Sequence, residues 1–311
     1  MIRIAHCCAV AIFASGIATP LRAADHDGAP ALEPGAGIET WSSTDSDKTS
    51  VIKVLGRALW DFEGPAKVQG IDLERAWFIP EGQHARRQTR VYLDLADSID
   101  GKWKWNARIG TNGDTVLGSA SVRSNDWSKE FFVEREIIET PRGVDEGIYY
   151  TFAGASANLI ATARDTVNVM AGFQKFTGRN ERLHLRGTFV HVVKPDAGLS
   201  LQLRARYFHS TVPGEFDYYS PRDFVQLIPV VQMRRFSKTG WMYLVAGGYG
   251  AQKATGSGWQ GARLASLRVE SPASSKRLQA FIEVQYSNSS LVGAAGNYHY
   301  VMGRIGLTRR L

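Results

Sequence analysis

Arg204 and Arg206 stand two residues apart in the stretch Leu199 to Gln252, with Leu203, Ala205 and Tyr207 at the intervening positions. Side chains on a strand alternate faces, so both guanidinium groups leave one face and the apolar residues leave the other. Arg182 and Arg186 are placed in the same way on one side of Leu183, Leu185 and Gly187. A guanidinium is always charged and only donates, so a row of them on one face attracts anions. The same stretch carries Asp217-Tyr218-Tyr219-Ser220-Pro221. Two phenol rings can cover the apolar face of a sugar while Asp217 and the hydroxyls bond its hydroxyl groups. Pro221 fixes its own φ and pushes Ser220 to an extended form, so the run also reads as a structural turn leading into a strand. The two readings are compatible.

The residue types needed for other chemistry are present without the spacing. The seven histidines are scattered, with no metal-ligand pattern. Gly110-Thr111-Asn112-Gly113 is a turn rather than a phosphate loop. His209-Ser210 and His184 are the one hint of a lipid-cleaving barrel, and no Ser, His and acid order supports it. No enzyme, metal or cofactor is expected. The arginines are interleaved with apolar residues, which argues against a nucleic-acid partner.

The elements that carry these residues are short alternating segments from one end of the chain to the other. Ile52, Val54, Gly56, Ala58, Trp60 and Phe62 share a face against Lys53, Arg57 and Asp61; Asp72 and Glu74 oppose Ile71, Leu73 and Trp77. Arg90, Tyr92 and Asp94 oppose Val91, Leu93 and Leu95, and Lys102, Lys104, Asn106 and Arg108 oppose Trp103, Trp105, Ala107 and Ile109. Near the end Ile282 and Val284 oppose Glu283 and Gln285, and Val301, Gly303, Ile305 and Leu307 oppose Arg304 and Thr308. Glu130 to Glu139 alternates except that Arg135 falls on the apolar side, and Ile148 to Arg164 is rich in small residues with unclear breaks. Turn signals such as Asp100-Gly101, Asn112-Gly113-Asp114 and Pro195-Asp196-Ala197-Gly198 separate the runs and favour antiparallel neighbours.

These features predict an all-β, antiparallel transmembrane β-barrel in the bacterial outer membrane, with 16 strands and 14 as the alternative. In a bilayer each backbone group must be paired within the protein, and a closed barrel does this without edges. The apolar faces carry Trp60, Trp77, Trp103, Tyr207, Trp241 and Tyr286 near strand ends, as interfacial girdles require. Residues 1–23 have a basic start, an apolar core and a small-residue exit, and read as a signal peptide. Residues 24–48 read as a flexible periplasmic lead, with 37–43 as a candidate first strand, and 49–311 as the barrel. Cys7 and Cys8 both lie in the signal, so disulfides do not hold the exported chain. Loss of Arg3 and Arg22 leaves 35 basic and 30 acidic residues, a net charge of +5.

The polar faces are expected to line the lumen. Their basic residues are Lys53, Arg57, Arg90, Lys102, Lys104, Arg108, Arg123, Arg182, Arg186, Arg204, Arg206, Arg234, Arg268, Arg277 and Arg304. The acids assigned beside them are Asp61, Asp72, Glu74, Asp94, Glu270 and Glu283. Positive charge is thus concentrated on one side of the sheet. Either it pairs with carboxylates into a neutral network, or it sets a positive potential in the pore.

Tyr218-Tyr219-Ser220-Pro221 with Phe224, then Arg234-Arg235-Phe236, Trp241-Met242-Tyr243 and Gly247-Gly248-Tyr249-Gly250 resemble the C-terminal barrels of exopolysaccharide export porins. These are the cellulose-export (BcsC) and poly-N-acetylglucosamine-export (PgaA) barrels and the smaller YaiO-like barrels. Trp127-Ser128-Lys129-Glu130 and Arg135-Glu136 fit the same group. The resemblance covers roughly Lys48 to Leu311. It implies an outer-membrane channel for a polysaccharide or oligosaccharide, in contact with membrane lipid. The large exporters have a helical-repeat periplasmic scaffold, so a separate scaffold protein is implied as a partner here. A structural or receptor barrel without transport is the alternative, and a lipid enzyme a remote one. One departure is the last residue, Leu311, where such barrels usually end in an aromatic.

Overall fold

In the computed structural model the chain forms a closed barrel of sixteen antiparallel strands. It describes residues 32–46, 48–272, 275, 277–288 and 299–311. The expected signal peptide lies outside the described residues. The strands are β1 Gly35–Asp45, β2 Ser50–Gly64, β3 Lys67–Ile79, β4 Arg86–Ile99, β5 Trp103–Thr111, β6 Val116–Ser124, β7 Lys129–Ile137 and β8 Tyr149–Ile160. The second half holds β9 Asp165–Phe176, β10 Glu181–Lys194, β11 Leu199–Ser210, β12 Asp223–Phe236, β13 Met242–Ala254, β14 Gln260–Glu270, β15 Leu278–Ser287 and β16 Tyr300–Arg310. Each pairs with its neighbours in sequence, and β1 closes the circle on β16, from Gly35 against Arg310 to Asp45 against Tyr300. β1 therefore occupies much of the segment expected to be a flexible lead.

The alternation works as a two-sided partition. Leu201, Leu203, Ile282, Val284, Ile305 and Leu307 are exposed on the outer wall, while Asp72, Arg90, Arg182, His184, Gln202 and Glu283 are buried inside. Water-facing wall and buried apolar core are thus exchanged relative to a soluble sheet, as a bilayer demands. Trp60, Trp103 and Trp241 sit toward the end where β1 begins and β16 ends; Trp77, Tyr207 and Tyr286 sit toward the opposite end. That places the outer aromatics in two belts.

The end where β1 begins and β16 ends has tight connections. Asp100 and Gly101 both take positive φ, 51° and 62°, in the β4–β5 hairpin, the geometry that matches the right-handed twist of flanking strands. The short 3-10 turn Pro195–Ala197 closes β10 onto β11, and the following Gly198 has a φ of 65°. A side chain at Gly198 would overlap the Arg234 carbonyl, so only glycine fits. At the opposite end two longer connections fold inward. One contains the only α-helix among the described residues, α1 Pro141–Glu146, between β7 and β8. The other is the 211–222 loop between β11 and β12, which carries the tyrosine pair.

Two sequence readings change on the strands. A β-bulge between Leu59 and Asp61 shifts the phase of β2. Phe62 is therefore buried with Leu59, Val68 and Ala96 rather than facing lipid, and Asp61 pairs with Lys67 at 3.4 Å rather than joining the central lumen acids. An extra residue on one strand is not visible as a break in composition, so strict alternation overran it. The small-residue run that obscured β8 also has a cause. Gly154 and Gly172 face each other across β8 and β9. A Cβ on either would collide with a ring, Phe132 at Gly154 and Phe152 at Gly172. The glycines make room for aromatic side chains on the inner wall.

Candidate functional site: the barrel lumen

The lumen has two unlike walls. On β2 to β5 and β7, opposite charges are interleaved. Arg90 is 1% exposed and bonds Glu74 at 3.0 Å and Glu136 at 3.3 Å. Arg108 reaches Asp72 at 3.2 Å and Glu74 at 3.3 Å, and lies over the Tyr92 ring. Arg57 sits 3.5 Å from Asp72 and 3.8 Å from Asp94, and Lys53 pairs with Glu139 just beyond β7. Farther round, Arg268 pairs with Glu270 and Glu283, each at 3.2 Å, and Arg304 with Glu39 at 2.5 Å. On these walls arginines and carboxylates neutralise one another in a rigid network. Sequence reasoning missed Glu39, Glu130, Glu134 and Glu136, which narrow the expected positive excess. The signal was present: Glu130, Glu134 and Glu136 share one strand phase.

The second wall, β8 to β12, is aromatic and basic. Phe176 stacks on Tyr218 with centroids 4.4 Å apart, and Phe208 on Phe224 at 5.0 Å. His184 lies between Phe152 at 5.0 Å and Phe208 at 5.7 Å, with Nε2 2.8 Å from Gln174. These rings occupy inward positions, and Phe132, Phe152, Phe176, Phe208 and Phe224 were all missed as site residues. Their signal was an aromatic on the polar phase of a strand. They border a cavity of about 270 Å³, whose lining includes Glu130, Glu134, Tyr150, Arg182, Arg186 and Arg206. Tyr150 donates its hydroxyl to Glu134 at 3.1 Å.

The arginines of this wall run along it. Arg182 near the loop end donates to the Ser210 hydroxyl at 3.0 Å and to the Tyr219 carbonyl at 2.6 Å. Arg186 and Arg206 are register partners across β10 and β11, and Arg204 is the partner of Thr188 one step toward the terminal end. Arg206 lies 5.5 Å from the Phe208 ring and 5.7 Å from the Phe224 ring. Arg204 donates to Gln202 at 2.9 Å and Gln232 at 3.4 Å. Among the described residues neither Arg204 nor Arg206 forms an ion pair with a carboxylate. Arg234 continues the row on β12.

Other assigned residues are placed differently. Lys104 and Arg123 face each other across β5 and β6, and Arg123 stacks on Trp127 at 3.2 Å. Lys102 and Arg277 are exposed turn residues that precede β5 and β15, not lumen residues; the turns begin before the alternation ends. The Asp217–Tyr219 run is engaged within the protein. Asp217 accepts from the Thr140 hydroxyl at 2.6 Å and the Arg142 backbone N–H at 2.9 Å. Tyr218 is 3% exposed and its hydroxyl accepts from Asn180 at 2.8 Å; burial pushes its phenol up to about 12. Tyr219 packs edge-on against Phe208 and Phe224. Pro221 is buried just before β12. The structural-turn reading accounts for each of these contacts.

His209 and Ser210 do not form a dyad. Adjacent strand residues face opposite ways, so Ser210 meets Arg182 inside while His209 pairs with Asp223 at 2.8 Å on the other side of the sheet.

The architecture has solved counterparts. A bacterial polysaccharide outer membrane secretin superposes with a TM-score of 0.61 at 12% identity, covering 91% of this chain and 100% of that one. The outer membrane protein OprD from Pseudomonas aeruginosa aligns with a TM-score of 0.45 at 8% identity, over 90% of this chain and 95% of that one. No protein-family model matches the sequence, and no curated protein does. The chain has the fold of the outer-membrane barrels.

Proposed function

We propose that this protein is an outer-membrane channel that conducts a polysaccharide or oligosaccharide. The observation that carries the reading is the second wall: stacked aromatic rings beside a row of arginines, both facing a cavity inside a closed barrel. Aromatic faces cover the apolar faces of sugar rings, and guanidinium groups hydrogen-bond sugar oxygens while sliding from one to the next. The long loops then lie outside the cell, and the start of β1 and end of β16 face the periplasm, as short turns and longer loops are distributed in such barrels. The likeness to a polysaccharide secretin supports the same direction, as does the sequence resemblance to the YaiO-like and PgaA-type barrels. A separate periplasmic protein would hand over the glycan.

Purified protein in proteoliposomes should release entrapped fluorescent oligosaccharides of a few sugar units while retaining a folded protein of similar mass. Retention of every oligosaccharide would favour the structural or receptor reading. Cell fractionation should place the chain in the outer membrane, with heat-modifiable migration on a gel; a soluble periplasmic form would overturn the membrane assignment.

A further inference from the structure

The arginines of β10 and β11 are not arranged as those of β2 to β5 are. On the acid-rich wall the inward arginines meet carboxylates: Arg57, Arg90 and Arg108 alternate with Asp72, Glu74 and Asp94. On the other wall Arg186 and Arg206 occupy directly opposed register positions. Arg206 is held by the faces of Phe208 and Phe224, which leaves its donors without a carboxylate. Its Nε is buried and has no hydrogen-bond partner. Among the described residues Arg204 is held by the amide oxygens of Gln202 and Gln232, neutral acceptors that orient a guanidinium without cancelling its charge. Both arginines point into the lumen, and Arg206 lines the aromatic cavity.

We infer that Arg204 and Arg206, with Arg186 opposite, form a binding site for the carboxylate of an acidic sugar, so that the glycan handled here contains uronic-acid units. The inference rests on the glycan-channel reading and narrows it. A carboxylate matches the two parallel donors of a guanidinium, and a second guanidinium across the strand pair can share the same anion. The Phe208 and Phe224 rings supply an adjacent apolar surface, so a hexuronate meets a ring-shaped apolar contact and a cationic one together. A neutral sugar would satisfy the rings but bring no carboxylate to Arg204 and Arg206. In a confined lumen the field of such a cluster is focused, and it is felt over about 8 Å at physiological ionic strength.

The test is equilibrium binding to the full-length refolded protein in detergent, by calorimetry, with trigalacturonic acid and its neutral methyl ester as probes. The acidic trisaccharide is expected to bind at least tenfold more tightly, with affinity falling as salt rises. R204Q and R206Q should each weaken it fivefold or more and weaken the neutral ester by a smaller factor. R304Q removes the same charge from a lumen arginine paired with Glu39, and should change uronate binding less than twofold. Heat-modifiable migration of each variant verifies folding. Equal affinity for the two probes, absence of uronate binding, or the same loss in R304Q as in R206Q would overturn the site. Conductance separates this from the broader reading: a barrel that binds uronate but passes no ions or sugars refutes the channel and leaves the site standing.

Discussion

The Thr140 hydroxyl donates to Asp217 at 2.6 Å, across 77 positions of sequence. Thr140 is also the N-cap of α1, accepting from the Gly143 backbone N–H at 2.9 Å, and Asp217 accepts from the Arg142 N–H at the first turn of the same helix. A carboxylate beside free N–H groups at a helix start is a favourable contact, and here it ties two inward-folded loops at one mouth of the barrel. D217A should leave the Arg142 N–H without this partner and cost about 1–3 kcal/mol of loop stability, the ordinary penalty for an unmet buried donor. The barrel itself should remain folded. Limited proteolysis checks this: cleavage within residues 211–222 should become faster while heat-modifiability is unchanged.

A second clamp holds the same helix from the other side and depends on pH. Arg86 bonds both carboxylate oxygens of Asp145, and this hydrogen bonding holds the Asp145 carboxyl below its ordinary range. A depressed carboxylate stabilises above its unfolded-state value and loses that stabilisation as pH falls through the folded one. The 138–148 loop should therefore loosen below about pH 4, where ordinary aspartates begin to protonate. Hydrogen exchange of the loop amides between pH 7 and pH 3, corrected for intrinsic rates, measures it. R86Q should remove the difference; an identical pH response in R86Q would assign the effect elsewhere.

The outer and inner walls should respond oppositely to the same substitution. L201R places a charge on a residue that is 48% exposed to the bilayer side, and Q202R places it on the buried lumen neighbour. An arginine facing lipid near the midplane costs about 2–4 kcal/mol. L201R should lower the yield of folded barrel sharply, and Q202R should fold close to wild type. Equal damage from the two would refute the register of β11.

Arg90 should be the most sensitive of the paired arginines. It is 1% exposed and serves Glu74 and Glu136 together. Removing one partner of a buried pair leaves an uncompensated charge and costs about 3–5 kcal/mol. R90Q should lower the urea midpoint of unfolding from lipid vesicles well below that of R304Q, whose Glu39 pair is more open to water.

Much of the barrel was legible because a bilayer and a wet lumen impose a strict period of two. Leu199 to Ser210 shows this pattern plainly; the first strand, which closes on β16, shows it only weakly and reads mostly as a flexible lead. What alternation could not show depends on contacts between distant segments. The bulge at Leu59 and Asp61 adds a residue without changing composition. The rings of Phe152, Phe176 and Phe208 gain meaning only when β8 to β11 lie side by side and the Gly154–Gly172 pair makes room for them. Tyr218 and Asp217 suggested a sugar platform by type alone; their partners Asn180 and Thr140 lie far away in sequence, and these turn both residues into loop anchors. The lumen charge was readable as a total but not as a pattern, because pairing depends on which strands are neighbours.

The central claim is that the barrel is a conducting path whose second wall touches sugar. Single-channel recording of the refolded protein in a planar lipid bilayer tests it directly. Discrete ion-conducting steps are expected, interrupted by brief closures whose frequency rises with added oligosaccharide and falls in R206Q. A wild-type protein that inserts but passes no current, and still passes none in D217A with its mouth loops released, would contradict it.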